Sequence, residues 1–305
     1  MHRSTRVWFA LLLLFIFRSS AAQCIGVVTA GGGNQFWQEV GRGAKSAGAH
    51  LGVDIYFRGP LDEMHPEAQH KIIEAVRKQN CRAIVIAPSS SAVNAQVEQF
   101  RQQGIPAVYI DRDPGGAAIQ AFVGTDNFKA GTRAGLIMAD KLHGRGTVLL
   151  FRMQDEVAST RDRERGFLEA ARASGLRVIV GPYIGSDIGA ARVRAANLLS
   201  SLAEPVNGVF TPNESVTLAV LSALRGEAGL LARHELVFIG FDINDELTRA
   251  VIRGQISALF VQHPWLIGYQ GVIAAYHAAA NDPASPMVRV DTGVNVIYRS
   301  DLIPH

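Results

Sequence analysis

Residues 25–51 read IGVVTAGGGNQFWQEVGRGAKSAGAHL. The opening IGVVTA is a short apolar run rich in β-branched residues, as in a strand buried on both faces. Gly31, Gly32 and Gly33 end it. Trp37, Val40, Ala44, Ala47 and Leu51 then recur at alternating steps of three and four, the period of a helix with one buried face. A strand, a glycine turn and an amphipathic helix make the first half of a βαβ unit.

The unit repeats. Strands are expected at Val53–Phe57, Ala83–Pro88, Ala107–Asp111 and Ala121–Asp126, with helices around Ile72–Val76 and through Val93–Phe100. The pattern restarts with helix Ala130–Leu142. Strands Thr147–Arg152, Leu176–Tyr183, Gly208–Pro212, Leu236–Asp242 and Ile256–Gln262 then alternate with helices Arg163–Ala173, Ala190–Leu202, Ser215–Leu224 and Asp245–Ile252. A long helix, Leu266–Ala280, and one last strand near Val288–Tyr298 complete the chain. Apolar strands between helices predict parallel sheets covered on both faces. One sheet of that many strands would be unusually wide. The expected fold is therefore α/β, with two doubly wound parallel-sheet lobes and the chain crossing between them at short segments such as Thr125–Asn127.

The chain has 305 residues, 48% of them apolar and 19% charged, enough to build two cores. Its formal charge of +3 sits at one end. Residues 1–22 hold Arg3, Arg6 and Arg18 and no acid, so the remainder is balanced. Without a net charge or a basic run, nucleic acid is not an expected partner. Val7–Phe17 is an unbroken apolar run behind a short positive start, and Ser20 and Ala22 follow it. The run is too short to span a bilayer. Residues 1–22 read as a cleavable export signal that leaves Gln23 as the new N-terminus. The alternative is a lipoprotein signal with Cys24 acylated, but Gln23 before it is polar and bulky where such signals carry a small residue. Export to the periplasm puts the two cysteines, Cys24 and Cys81, in an oxidising compartment. Each precedes a strand, and in a doubly wound sheet those strands would be parallel neighbours. A disulfide is expected, the alternative being two unpaired buried thiols.

Ligands of open α/β sheets bind at the C-terminal ends of strands. Polar residues recur there. Asn34 stands ahead of Phe36 and Trp37, Asp111 and Arg112 end one strand, and Arg163 opens a helix. Asn213, Asp242 and Gln262 close three more strands. Each alone reads as a cap or turn residue. Together they offer flat aromatic faces, two acidic acceptors, two guanidinium forks and three amides. A sugar, with its C–H face and rim of hydroxyls, suits such a set. Two Asp against two Arg sum to zero, which favours a neutral ligand over a phosphate or carboxylate.

These residues carry a resemblance. From about Ile25 to Tyr298 the chain resembles the periplasmic sugar-binding proteins of the ribose-binding type, the type I periplasmic binding protein fold shared with lactose-repressor-like ligand domains. The carriers are Asn34-x-Phe36-Trp37, Tyr109-Ile110-Asp111-Arg112, and Arg161 through Phe167. Val209 through Glu214, Ile239-Gly240-Phe241-Asp242, and Gln262 before a Pro-containing helix start complete them. The resemblance implies that Phe36 and Trp37 stack on a sugar ring. It also implies that Asn34, Asp111, Arg112, Arg163, Asn213, Asp242 and Gln262 bond its hydroxyls, without metal or cofactor and without catalysis. It further implies two lobes, 24–125 with 263–288 and 126–262 with 289–305, joined by a multi-strand hinge that closes on the ligand. A monomer delivering sugar or polyol to an inner-membrane ABC permease is the implied role. Presenting the loaded form to a chemoreceptor or sensor histidine kinase is the alternative. The chain departs from the pattern where ribose binders place an aromatic wall after Leu176–Tyr183. The aligned residue is Ser186, so either Tyr183 supplies a wall or the ligand is bulkier there.

Enzymatic readings are weaker. A dinucleotide fingerprint needs glycine where Phe36 stands, and no P-loop, Gly-x-Ser-x-Gly elbow or His-Glu-x-x-His occurs. His65 and His70 are expected to be solvated in a charged loop. No helix-turn-helix precedes the first strand, which sets the chain apart from the repressors.

Overall fold

The computed structural model describes residues 24–63, 65–226, 236–280 and 286–303. The expected export signal lies outside them. Strands and helices alternate: β1 (Cys24–Val28), α1 (Gln35–Leu51), β2 (Asp54–Arg58), α2 (Pro66–Arg77), β3 (Ala83–Ile86), α3 (Asn94–Gln102), β4 (Ala107–Ile110) and β5 (Ala121–Gly124). The pattern continues with α4 (Asn127–Lys141), β6 (Thr147–Arg152), α5 (Ala158–Ala173), β7 (Arg177–Tyr183), α6 (Ile188–Ser200) and β8 (Gly208–Phe210). Last come α7 (Glu214–Gly226), β9 (Val237–Phe241), α8 (Asp245–Ile252), β10 (Ala258–Gln262), α9 (Pro264–Ala278), β11 (Val288–Asp291) and β12 (Val294–Ile297).

The strands form two six-stranded sheets, ordered β2-β1-β3-β4-β5-β11 and β7-β6-β8-β9-β10-β12. All pairings in the first are parallel. The second is parallel except where β12 runs antiparallel to β10. The continuous apolar character of the strands has its cause here. In β1, Ile25 and Val27 enter the core beneath α1 and α9, while Val28 enters the opposite core with Ile73, Ile84 and Val97. The second sheet is likewise covered on both faces. Among the described residues no helix is long and apolar enough to cross a membrane.

The chain passes between the sheets three times, after β5, between β10 and α9, and between β11 and β12. The third passage departs from expectation. The single last strand is two, broken at Thr292-Gly293, where Gly293 takes φ +72°. Residues 289–291, expected with the second lobe, pair with β5 in the first sheet. A single straight strand cannot serve two sheets. The passages are tied together: the Asp126 N–H donates to Asp291 Oδ1 at 3.1 Å, and Thr292 N–H donates to the Gly124 carbonyl at 2.9 Å.

Cys24 and Cys81 are disulfide-bonded. In this bond the Cys24 sulfur is paired and does not carry the thioether of a lipid anchor. His70 also departs from expectation. It lies on α2 rather than in a loop, because Pro66 starts that helix four residues earlier. His65 is exposed and bonded to Asp62 at 2.9 Å.

Candidate functional site

The loop after β1 builds one wall. Asn34 caps α1, its side-chain oxygen accepting the Trp37 N–H at 3.1 Å. This fixes the first helical turn, which carries Phe36 and Trp37 edge to face with centroids 4.9 Å apart. The glycine run has a steric purpose. A Cβ on Gly31 would sit 2.9 Å from Glu63 Cγ and 3.1 Å from the Trp37 ring. The absent side chain lets the loop after β2 fold over Trp37. Glu63 then accepts from Trp37 Nε1 at 2.8 Å and pairs with Arg112. Arg112 Nε also donates to Asp111 at 3.0 Å, and its guanidinium lies 5.4 Å from the Trp37 ring centroid.

The second wall uses the other sheet. Arg163 projects from α5, donating from Nε to Asn127 Oδ1 and from Nη1 to the Pro212 carbonyl, both at 2.8 Å. Its guanidinium carbon lies 4.5 Å from the Phe241 ring centroid. Asn213 accepts the Val216 N–H at 3.2 Å, the same local role Asn34 has on α1. Asp242 accepts the Glu214 N–H at 3.1 Å and Gln262 Nε2 at 2.7 Å. Asp111 and Asp242 occupy matching places, after β4 and β9, and both take left-handed backbone, φ +61° and +66°. Aspartate tolerates that region better than most side chains, and the strain is of a kind that collects at functional sites.

All nine residues singled out from the sequence line one narrow crevice between the sheets. Ser159, Thr160, Glu63 and Glu214 join them and were not foreseen. Glu214 had a signal, directly following Asn213 at a strand end. Glu63 had none, because only the fold of the loop over Gly31 brings it in. Tyr183 is not among the lining residues. Its hydroxyl donates to Asp155 at 2.6 Å and Arg152 covers its ring at 3.9 Å, so it supplies no wall.

The charge balance inferred from two Asp and two Arg needs correction, since Glu63 and Glu214 add two buried carboxyls. Burial pushes Glu214 up to about 7, with Asn244 pulling the other way. Burial also raises Asp111 and Asp242, opposed chiefly by Arg112 and Arg163 respectively. Burial lowers Arg163, which Asp242 opposes. On Arg112 burial is outweighed by Glu63 and Asp111, and the pKa rises. An excess of acid repels anionic ligands more strongly than balance would. Three crevice atoms are buried without a hydrogen-bond partner: Arg163 Nη2, Glu214 Oε2 and Gln262 Oε1. One is a donor. Gln262 Oε1 accepts, and Glu214 Oε2 accepts or donates according to its proton. Hydroxyls, which both give and accept, satisfy such a mixture. Among the described residues no group of three His, Cys, Asp or Glu is placed to hold a metal ion.

Two α/β lobes with matched polar walls define a solute-binding protein rather than a nucleotide enzyme. The chain belongs to the periplasmic binding protein family, whose periplasmic binding protein domain matches residues 25–283. It is of the ribose type, a non-enzymatic class. The ribose import binding protein of Haemophilus influenzae is 26% identical over 298 residues, 96% of this chain and 99% of that one. Its counterpart in Escherichia coli is 26% identical over 84% of each chain. The structure of a periplasmic component of an ABC-type sugar transport system from Hahella chejuensis is 35% identical. It superposes with a TM-score of 0.83 over 90% of this chain and 99% of its own. An ABC transporter solute-binding protein from Agrobacterium vitis, solved with D-fucose, is 28% identical. Its TM-score is 0.83 over 92% of this chain and 96% of its own.

Proposed function

We propose that this protein is exported to the periplasm, captures a small neutral sugar or polyol between its lobes, and delivers it to an inner-membrane ABC permease. The observation that carries the reading is the set of partnerless atoms Arg163 Nη2, Glu214 Oε2 and Gln262 Oε1, buried within one crevice. A buried polar atom left unpaired costs about 1–3 kcal/mol, so a hydroxylated ligand that pairs all three is strongly favoured. Neutrality follows from the acids already present. Glu63 is engaged by Arg112 and Trp37, and Glu214 takes up its proton near pH 7.

Phe36 and Trp37 stack on the ring. Asn34, Asp111, Arg112, Arg163, Asn213, Asp242 and Gln262, with Glu63 and Glu214, bond its rim. The three passages act as a hinge, and ligand stabilises closure by its differential affinity for the closed form. Export suits a chain with a disulfide. The protein works as a monomer without a cofactor. A thermal-shift screen of the mature chain against pentoses, hexoses and polyols, followed by calorimetry, tests this. A saturable rise with at least one of them is expected. Stabilisation only by organic acids or phosphates would refute it.

A further inference from the structure

We propose that the ligand reaches past the ring crevice into a second chamber, and that it is a disaccharide or glycoside rather than a free monosaccharide. This rests on the sugar reading above.

The second chamber adjoins the first and shares Asn34, Trp37 and Glu63 with it. It is open to solvent and roomier than the ring crevice. Its other walls are Gly31–Gly33, the loop at Leu61–Asp62 and Ser186–Gly189 at the start of α6, with Ser215 of α7. All but Ser215, which follows β8, follow β1, β2 and β7, on the side of both sheets away from the three passages. The chamber is therefore the mouth of the cleft, where a ligand can extend without obstructing the hinge.

Its chemistry selects the occupant. The Ser186 hydroxyl is buried without a partner, so a polar group from outside the chain is the missing bond. Asp62, Glu63 and Asp187 line the space and, among the described residues, no Lys or Arg does, which disfavours a phosphoryl or carboxylate substituent. Leu61 and Ile188 flank it from opposite lobes, 85% and 45% exposed. Leu61 is the most exposed large apolar side chain among the described residues. Two apolar side chains among polar lining residues suit the C–H faces and hydroxyl rim of a second sugar residue. Ser186 is a small residue in the wall of this chamber.

The test is calorimetry of the mature protein with matched pairs: D-glucose with maltose and cellobiose, D-galactose with lactose, D-xylose with xylobiose, D-ribose with its methyl riboside. At least one extended member is expected to bind about tenfold or more tighter than its parent. Ser186→Phe, which adds bulk to the wall of the second chamber, should lower that ratio by about tenfold, and the smaller Ser186→Leu serves if Phe is not accommodated. A parent sugar that binds as well as every extended partner overturns the inference and leaves the sugar reading standing. So does a ratio unchanged in the bulkier variant. If no sugar of either size binds, the sugar reading fails and the inference falls with it.

Discussion

Asn34 shows why single residues at strand ends resist reading. Its carboxamide oxygen caps α1, the ordinary role of asparagine there, yet the same residue lines the crevice. The two readings are compatible, because a strand end that opens a helix is also where the sheet presents its ligand face. Arg163 and Asp111 carry the strongest expectations. Arg163→Ala should weaken sugar binding by about 2–4 kcal/mol, because buried acids lose their counter-charge. Asp111→Asn, which keeps a side chain tolerant of positive φ, should cost a similar amount through charge alone. Calorimetry showing wild-type affinity in both would remove the site assignment.

Glu164 gives a pH expectation of its own. Burial pushes it from 4.5 up to about 8, opposed by its bond from the Met153 N–H at 3.2 Å. A folded-state value above the unfolded one means stability that is full below about 4.5 and lost as pH rises through about 8. Glu164→Gln keeps an acceptor for Met153 and removes the titration. Its melting temperature should pull ahead of wild type progressively from pH 5 to pH 9. Parallel melting curves across that range would mean the carboxyl is not held protonated.

At the scale of elements, the two lobes repeat one device. In each, the helix that follows a passage packs backbone to backbone against the helix after the first strand of its sheet. A Cβ on Gly268 of α9 would lie 2.0 Å from the Val40 carbonyl oxygen, and one on Gly166 of α5 would lie 2.2 Å from that of Phe128. Gly166 belongs to the Arg161–Phe167 stretch, and its neighbour Arg163 points into the crevice. Gly166→Val should force α4 and α5 apart, lower stability by about 1–3 kcal/mol, and weaken sugar binding as Arg163 shifts. Unfolding and binding midpoints equal to wild type would contradict this. The order of these elements was legible because burial on both faces leaves long apolar strands. The break within 288–297 was not legible. Val288–Asp291 and Val294–Ile297 have the same alternating character, and only Gly293 hinted at a turn.

The whole molecule is two similar lobes held by three short passages, with one covalent tie inside the first lobe. The disulfide joins the start of β1 to the segment before β3, 57 positions apart, inside the first lobe. Cys24→Ser with Cys81→Ser should lower the stability of that lobe by about 2–4 kcal/mol and leave ligand specificity unchanged. Denaturant unfolding of reduced and oxidised protein measures it, and coincident curves would refute it. The bond lies at the amino ends of its strands, opposite the crevice at their carboxyl ends, so it braces the sheet without touching the ligand.

What the amino-acid order determined alone is the part governed by local rules. Hydrophobic period distinguishes strand from helix, and polar residues at strand ends mark the ligand face, so the nine crevice residues were legible. Tertiary structure decided what depends on distant segments meeting. Glu63 enters the site because the loop after β2 folds over a glycine run 30 residues earlier, where a side chain would clash. Tyr183 does not line the mouth beside Ser186, its hydroxyl being held by Asp155. No local pattern encodes such approaches, because their energy comes from contacts that exist only once both lobes have formed.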